Sequence, residues 1–250
     1  MTFNWRHSAL ILADCLLAVY LFMAVTAINR PDETADVCTA MNIHIEDGQV
    51  RGFLDTNDVK AMLLKDRLYP LGDPMSKVDV RRIEELIASN PFVKSVECYK
   101  THSGTVHLNI SQRLPVIRVK SDGGDDYYVD DQGNVMPQTR FVSNMVVATG
   151  HIQRPYAQKI LTALGRYLSQ HAFWNNQIEQ VNILSDGSME MVPRVGEHIV
   201  YLGQPRNLER KLERLEKFYR YGLSKAGWNK YSYINLEFDN QIICKKRKRE

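Results

Sequence analysis

The stretch DGGDDYYVDDQG (122–133) gathers Asp122, Asp125, Asp126, Asp130 and Asp131, hard oxygens of the kind a divalent cation takes. Its register is not the D-x-[DN]-x-[DN]-G-x5-E of a calcium loop, and the alternating residues Tyr127 to Val129 split the acids into two groups. Gly123-Gly124 and Gln132-Gly133 are residues that turns require, so two turns flanking a strand account for the pattern. His44, His102, His107, His151, His171 and His198 are scattered, with no H-E-x-x-H and no helical i,i+4 pair. His102 and His107 flank an expected turn at Gly104, but two imidazoles do not make a zinc shell. Cys15, Cys38, Cys98 and Cys244 form no C-x-x-C pair. Cys38 and Cys98 fall in two expected strands, either as buried thiols or near enough to meet. There is no G-x-S-x-G or P-loop, and Glu84-Glu85 and Glu179 have no carboxylate partner for glycoside hydrolysis. The expectation is a protein that is not an enzyme and uses no metal or cofactor.

The remaining chemistry is that of the main chain. In KYSYINLEFDNQIICKKRKRE, Ser232, Ile234, Leu236 and Phe238 alternate with Tyr231, Tyr233, Asn235 and Glu237, the two-residue period of a half-buried strand. A last strand at a sheet edge offers unpaired N–H and C=O groups to another chain. Two readings follow. Either this strand is an inner one, or an edge guarded by Lys245 to Arg249, or it is left open so that a partner adds a strand to it. On the second reading the candidate partner-binding residues are Tyr231, Tyr233, Leu236, Phe238, Asn240 and Ile242.

These residues need a scaffold, and the chain supplies one in sections. From Ala9 to Ile28 run twenty residues with a single charge, Asp14, the length a helix needs to cross hydrocarbon. Its Leu, Ile, Val and Phe residues contribute roughly −3 to −6 kcal/mol towards insertion against about +3 for Asp14. A transmembrane helix at 9–28 is therefore expected, with a short tail at 1–8 and a polar tether, NRPDETAD, at 29–36. Arg6 and the amino terminus face Arg30 across the segment, so charge counting leaves its orientation open.

Beyond the tether the order is strand, helix, helix, strand, strand. Asp55 or Thr56 caps the first helix and Asp79 the second, whose Val80, Ile83, Leu86 and Ile87 share a face before Asn90-Pro91 ends it. Two strands then turn near Ser103-Gly104. After Pro115 come short strands in VIRV, DYYV and NVMP, a helix from Pro155 to His171, strands at Ile178 to Leu184, Met189 to Val192 and Ile199 to Leu202, and a helix in RNLERKLERLEKFYRYGL. Its Leu208, Leu212, Leu215, Phe218 and Tyr219 form one stripe. A basic tail is expected at 244–250. Lys and Arg number 32 against 29 Asp and Glu, a net charge of +3, which gives no chain-wide basic field for nucleic acid.

The sequence resembles the bacterial FtsQ/DivIB cell-division family. The residues that carry the resemblance are Pro91 and Val93 after the second helix, Gln112-Arg113-Leu114-Pro115 for the family's E/Q-R-x-P, Val129-Asp130-Asp131-Gln132-Gly133-Asn134-Val135 for its VD-x-x-G-x-V hairpin, and YLG…KLERLEKFY…YINLEF near the end. The family's DLRY appears as Asn235-Leu236-Glu237-Phe238, with an acid where a base is common. The resemblance implies an α+β chain: one N-terminal transmembrane helix, a POTRA domain (β-α-α-β-β) at 37–114, and a mixed β domain with two longer helices at 115–243. It also implies a non-enzymatic scaffold of the division complex that forms the septum, anchored in the cytoplasmic (inner) membrane with its N-terminus in the cytoplasm and its C-terminal domains in the periplasm. The implied partners are the small coiled-coil membrane proteins FtsB and FtsL, captured at the C-terminal edge, with other division proteins on the POTRA domain. The alternative is a membrane-tethered POTRA chaperone for polypeptide transport or outer-membrane assembly.

Overall fold

A computed structural model describes residues 5–28, 37–46, 53–139 and 145–248, and within the first segment the side chains of 13–25. The tether expected at 29–36 lies outside the described residues. Helix α1 (Trp5–Ile28) contains the apolar segment. Among the described residues no helix is long and apolar enough to cross a membrane.

The first folded unit contains β1 (Ala40–Ile45), α2 (Thr56–Lys65), α3 (Val80–Ala88), β2 (Val93–Lys100) and β3 (Thr105–Gln112). Local sequence sets its helix starts. Asp55 accepts from the Asp58 amide while the Asp58 carboxylate accepts from the Asp55 amide, a reciprocal capping box, and Asp79 accepts from the Arg82 amide. The strands pair in the order β1-β3-β2, with β1 parallel and β2 antiparallel to β3. Val59, Leu63, Ile83 and Ile87 of the helices close over Val106, Leu108 and Ile110 of β3, all at 0–1% exposure. Each contributes about 1.5–3 kcal/mol by burial. Cys38, just before β1, and Cys98, in β2, are buried free thiols. Strand β3 lies between β1 and β2, which keeps the two cysteines from meeting as a cross-strand pair.

The second unit is a nine-stranded sheet. Its strands are β4 (Pro115–Ser121), β5 (Asp126–Asp130), β6 (Val135–Pro137), β7 (Val147–Gly150), β8 (Ile178–Ile183), β9 (Met189–Pro193), β10 (Ile199–Gly203), β11 (Tyr231–Asn235) and β12 (Ile243–Lys246), in the order β12-β11-β10-β9-β8-β7-β4-β5-β6. Three helical segments, α4 (154–170), α5 (Ala172–Gln177) and α6 (208–226), pack on one face. Ile117, Ala148, Val181, Met191, Val200 and Ile234 bury against that layer, whereas Arg118, Thr149, Asn182, Glu190, Tyr201 and Tyr233 line the other face half-exposed. This is the alternation expected of a sheet covered on one side. Two stretches, Ala157–Leu161 and Phe218–Leu223, wind as π-helix inside the longer helices. Gly165 lets α4 lie close on β4, since a Cβ there would sit 3.0 Å from the Val116 carbonyl oxygen.

The Gln112-Arg113-Leu114-Pro115 motif joins the two units. Gln112 Oε1 accepts from the Leu54 amide, Arg113 Nε donates to the Val93 carbonyl, and Arg113 Nη1 donates to Asp130 Oδ2 at 2.9 Å. Phe53 stacks on Phe92 and meets Tyr128 edge-on, so aromatic contacts line the same seam.

Candidate partner-binding site

The strand expected to run from Tyr231 to Ile243 is two strands. Polar residues Asp239-Asn240-Gln241 turn the chain back, with Asn240 in the left-handed region at φ 63°, a conformation that Asn tolerates better than most residues. Strand β11 therefore lies inside the sheet. It pairs parallel with β10 (Val200↔Ile234) and antiparallel with β12 (Ile234↔Cys244). Among the described residues the edge strand at this end of the sheet is β12, with β6 at the opposite edge; β12 runs into the stretch expected as a basic tail. This corrects the edge expected at Tyr231 to Ile243: both flanks of β11 are occupied by its own chain, and the vacant flank is one strand further out.

The six candidate residues are distributed accordingly. A register shift between Tyr231 and Tyr233 sends the two rings to different surroundings. Tyr231 packs beside Phe218 of α6, while Tyr233 stacks on Tyr201 with ring centroids 6.2 Å apart on the open face. Leu236 is fully buried and faces no partner. Phe238 is 50% exposed in the β11–β12 connection, so the alternation that buries Ile234 and Leu236 stops where the turn begins. Asn240 is exposed in that turn, and Ile242 packs partly on the core. Ile243, at the end of the expected edge, and Lys245 and Lys246, expected in the basic tail, form the outermost described strand at this side of the sheet and are exposed. The signal was present in the spacing: Ile242 and Cys244 both reach the core, a two-residue period hidden by the lysines around it.

Two anchors hold this hairpin in place. At the turn end, Glu237 Oε2 accepts from the Gln204 amide at 3.1 Å, and Arg214 Nη2 donates to the Leu236 carbonyl. The buried Lys211 ammonium donates to the carbonyls of Leu202 and Gln204. Burial pushes the Lys211 pKa below its ordinary value, and the Glu237 charge opposes that shift. The acid at 237, where the family often has a base, thus has partners within its own chain. Gly203, at φ 70°, makes room for it, because a Cβ there would lie 1.1 Å from Glu237 Oε2. At the far end, the Arg247 amide donates to the Lys230 carbonyl, and the Arg247 guanidinium grips the side chain and carbonyl of Glu197. Beneath this clamp His198 is buried, with Nε2 at 2.7 Å from the Tyr219 hydroxyl.

The acidic stretch at 122–133 is engaged internally. Asp126 pairs with Arg118 through two hydrogen bonds, which hold its carboxyl below the usual carboxylate range. Burial would raise the Asp130 pKa, but hydrogen bonds from Asn134, Arg113 and the Gln132 amide hold it low. Among the described residues no group of three His, Cys, Asp or Glu is placed to hold a metal ion.

Fold and edge together define a POTRA-like unit followed by a sheet domain whose outer strand, among the described residues, has no neighbour on one flank. Comparison with known proteins agrees. A POTRA-like domain model matches residues 36–111, and the family model described as FtsQ/DivIB, C-terminal related, matches residues 114–245. The chain belongs to the FtsQ/DivIB family and is a cell-division protein of that family. Similar proteins include the cell division protein FtsQ of Rhodothermus marinus, 26% identical over 188 residues covering 70% of this chain and 68% of that protein. The FtsQ of Geotalea daltonii is 26% identical over 187 residues, covering 70% and 66%. The chain thus spans about two thirds of the length of these relatives.

Proposed function

We propose that the chain is a non-enzymatic scaffold of the bacterial division complex that captures small coiled-coil division proteins, of the FtsB and FtsL type, by strand addition to β12. The observation that carries the reading is the position of β12 at one end of the nine-strand order, with no strand on its outer flank among the described residues. Main-chain groups on that flank supply affinity, and Ile243, Lys245 and Phe238 supply selectivity. Although no helix among the described residues is long and apolar enough to cross a membrane, the residue content of Ala9 to Ile28 favours insertion and supports a single anchor, with the N-terminus in the cytoplasm and the folded domains in the periplasm. The POTRA-like unit contacts other division proteins.

The test uses the alternation of an antiparallel ladder. The Arg247 amide points inward to Lys230, so the Lys246 amide points outward. Lys246→Pro removes an N–H that the sheet itself does not use, the one strand setting that proline tolerates. Asn240 is unsuited to the same test, because proline cannot adopt its positive φ. Co-purification of the FtsB-type partner should be lost in Lys246→Pro and retained, at most weakened, in Lys246→Gln, with native circular dichroism in both. Partner retention by the proline variant would refute strand addition here. Mid-cell localisation of a fluorescent fusion in dividing cells distinguishes the scaffold from a POTRA chaperone.

A further inference from the structure

Beyond the C-terminal end of β12 the surface opens into a cleft of about 1250 Å³, between the 226–230 loop and residues 246–248. Lys230, Lys246, Arg247 and Lys248 line it together with Gly227 and Asn229, and among the described residues no carboxylate does. Arg247 is committed to Glu197. The other three cations differ: among the described residues, no ion pair joins Lys230, Lys246 or Lys248 to an acid. Lys230 instead lies over the Tyr231 ring, 5.7 Å from its centroid, which places its charge beside the start of β11. The chain as a whole has a net charge of only +3, so three lysines around one concavity without an ion pair among the described residues are a local concentration of charge and not part of a general basic field.

The cleft is continuous with the vacant flank of β12, since Lys246 belongs to both. The cleft therefore adjoins the C-terminal end of β12, where a polypeptide paired along that strand would overrun it. We propose that this cleft receives acidic side chains of the partner segment bound on β12, so that its carboxylates fix which end of that segment lies at Lys246 and hence the direction of strand addition. This rests on the strand-addition reading and adds the chemistry of the partner: a strand-forming stretch flanked on one side by Asp or Glu. Electrostatic complementarity of this kind sets register and specificity more than affinity.

The probe is fluorescein-labelled hexaglutamate, titrated against the full chain in non-ionic detergent, with hexaglutamine as control. Lys230 and Lys248 lie outside the β12 ladder, so the double variant Lys230→Gln/Lys248→Gln tests the cleft without touching the edge. Hexaglutamate should bind the wild-type chain, lose about ten-fold in affinity in the double variant and weaken as salt rises, while hexaglutamine does not bind. Capture of the FtsB-type partner should also become weaker in the double variant. Equal hexaglutamate binding by wild type and double variant would overturn the proposal. So would unchanged partner capture, or binding of phosphatidylglycerol vesicles without hexaglutamate binding, which would assign the cleft to lipid headgroups. None of these results bears on strand addition, which stands or falls with Lys246→Pro.

Discussion

Arg113 and Asp130 meet at 2.9 Å across the seam between the POTRA-like unit and the sheet domain, with the Asp130 side chain 3% exposed. The same guanidinium holds the Val93 carbonyl through Nε, so one side chain ties β2 to the β5–β6 hairpin. Arg113→Ala should cost about 1–3 kcal/mol, because a buried carboxylate loses its cation but keeps the hydrogen bonds from Asn134 and Gln132. Asp130→Ala should cost more, roughly 3–5 kcal/mol, since it strands Arg113 and the hairpin amides together. Urea unfolding of both variants measures the order, and equal costs would show that the seam does not depend on the carboxylate.

Gly203→Ala should destabilise the C-terminal hairpin in particular. A methyl group there collides with the Glu237 carboxylate and adopts a positive φ, and the combined strain is about 2–4 kcal/mol. Hydrogen exchange should quicken at β11 and β12 ahead of β4 and β5. Restoring slow exchange by adding Glu237→Ala would identify the carboxylate as the obstacle.

Acid should loosen the clamp around His198 before it affects the carboxylates. Burial first, and then the Arg247 charge, push the His198 pKa below its ordinary value near 6.5. The groups facing it are the Tyr219 hydroxyl and the Arg247–Glu197 pair. The unfolded chain takes up the proton more readily, so this contribution to stability is complete above about pH 6.5 and is lost as pH falls through the lowered native value. Each pKa unit of lowering corresponds to about 1.4 kcal/mol. The lowered Asp126 and Asp130 values act only under more acid conditions, as pH falls from about 4. The wild-type urea midpoint should fall between pH 7 and pH 5, and His198→Gln should flatten that fall. An unchanged slope in the variant would remove His198 as its source.

Cys98 should resist alkylation in the folded chain. Burial, aided by the Glu84 charge, pushes its thiol up to about 12, so thiolate at pH 8 is scarce. Iodoacetamide labelling followed by mass spectrometry should show Cys98 and Cys38 modified only after unfolding, and as reduced thiols in both states. A mass two units low at this pair would contradict the placement of β3 between their strands.

Much of the fold was legible because its signals are local. Asp55 and Asp79 cap helices where capping chemistry puts them, and the two-residue and helical periods of β3 and α6 read directly as core faces. The candidate site was legible only in part. The sequence shows a strand at Tyr231, but not the turn at Asn240 that brings β12 alongside and makes β11 an inner strand. A turn of this kind depends on one residue adopting a positive φ, and Asp-Asn-Gln carries no Gly or Pro to announce it. Arg113 was visible in a family motif, yet its partner Asp130 is defined only once two domains are folded. Likewise nothing local tells that β3 would separate Cys38 from Cys98.

Strand β12 follows every other described strand of its sheet in the order of synthesis, and it also forms one of the sheet's two edges. The ribosome therefore delivers the vacant flank last, after Trp174, Leu212 and Ile234 have already been made. A nascent molecule halted before Ile243 displays the side of β11 in its place, a different surface without the lysines. Recruitment through β12 would in this way be reserved for molecules translated through the whole sheet.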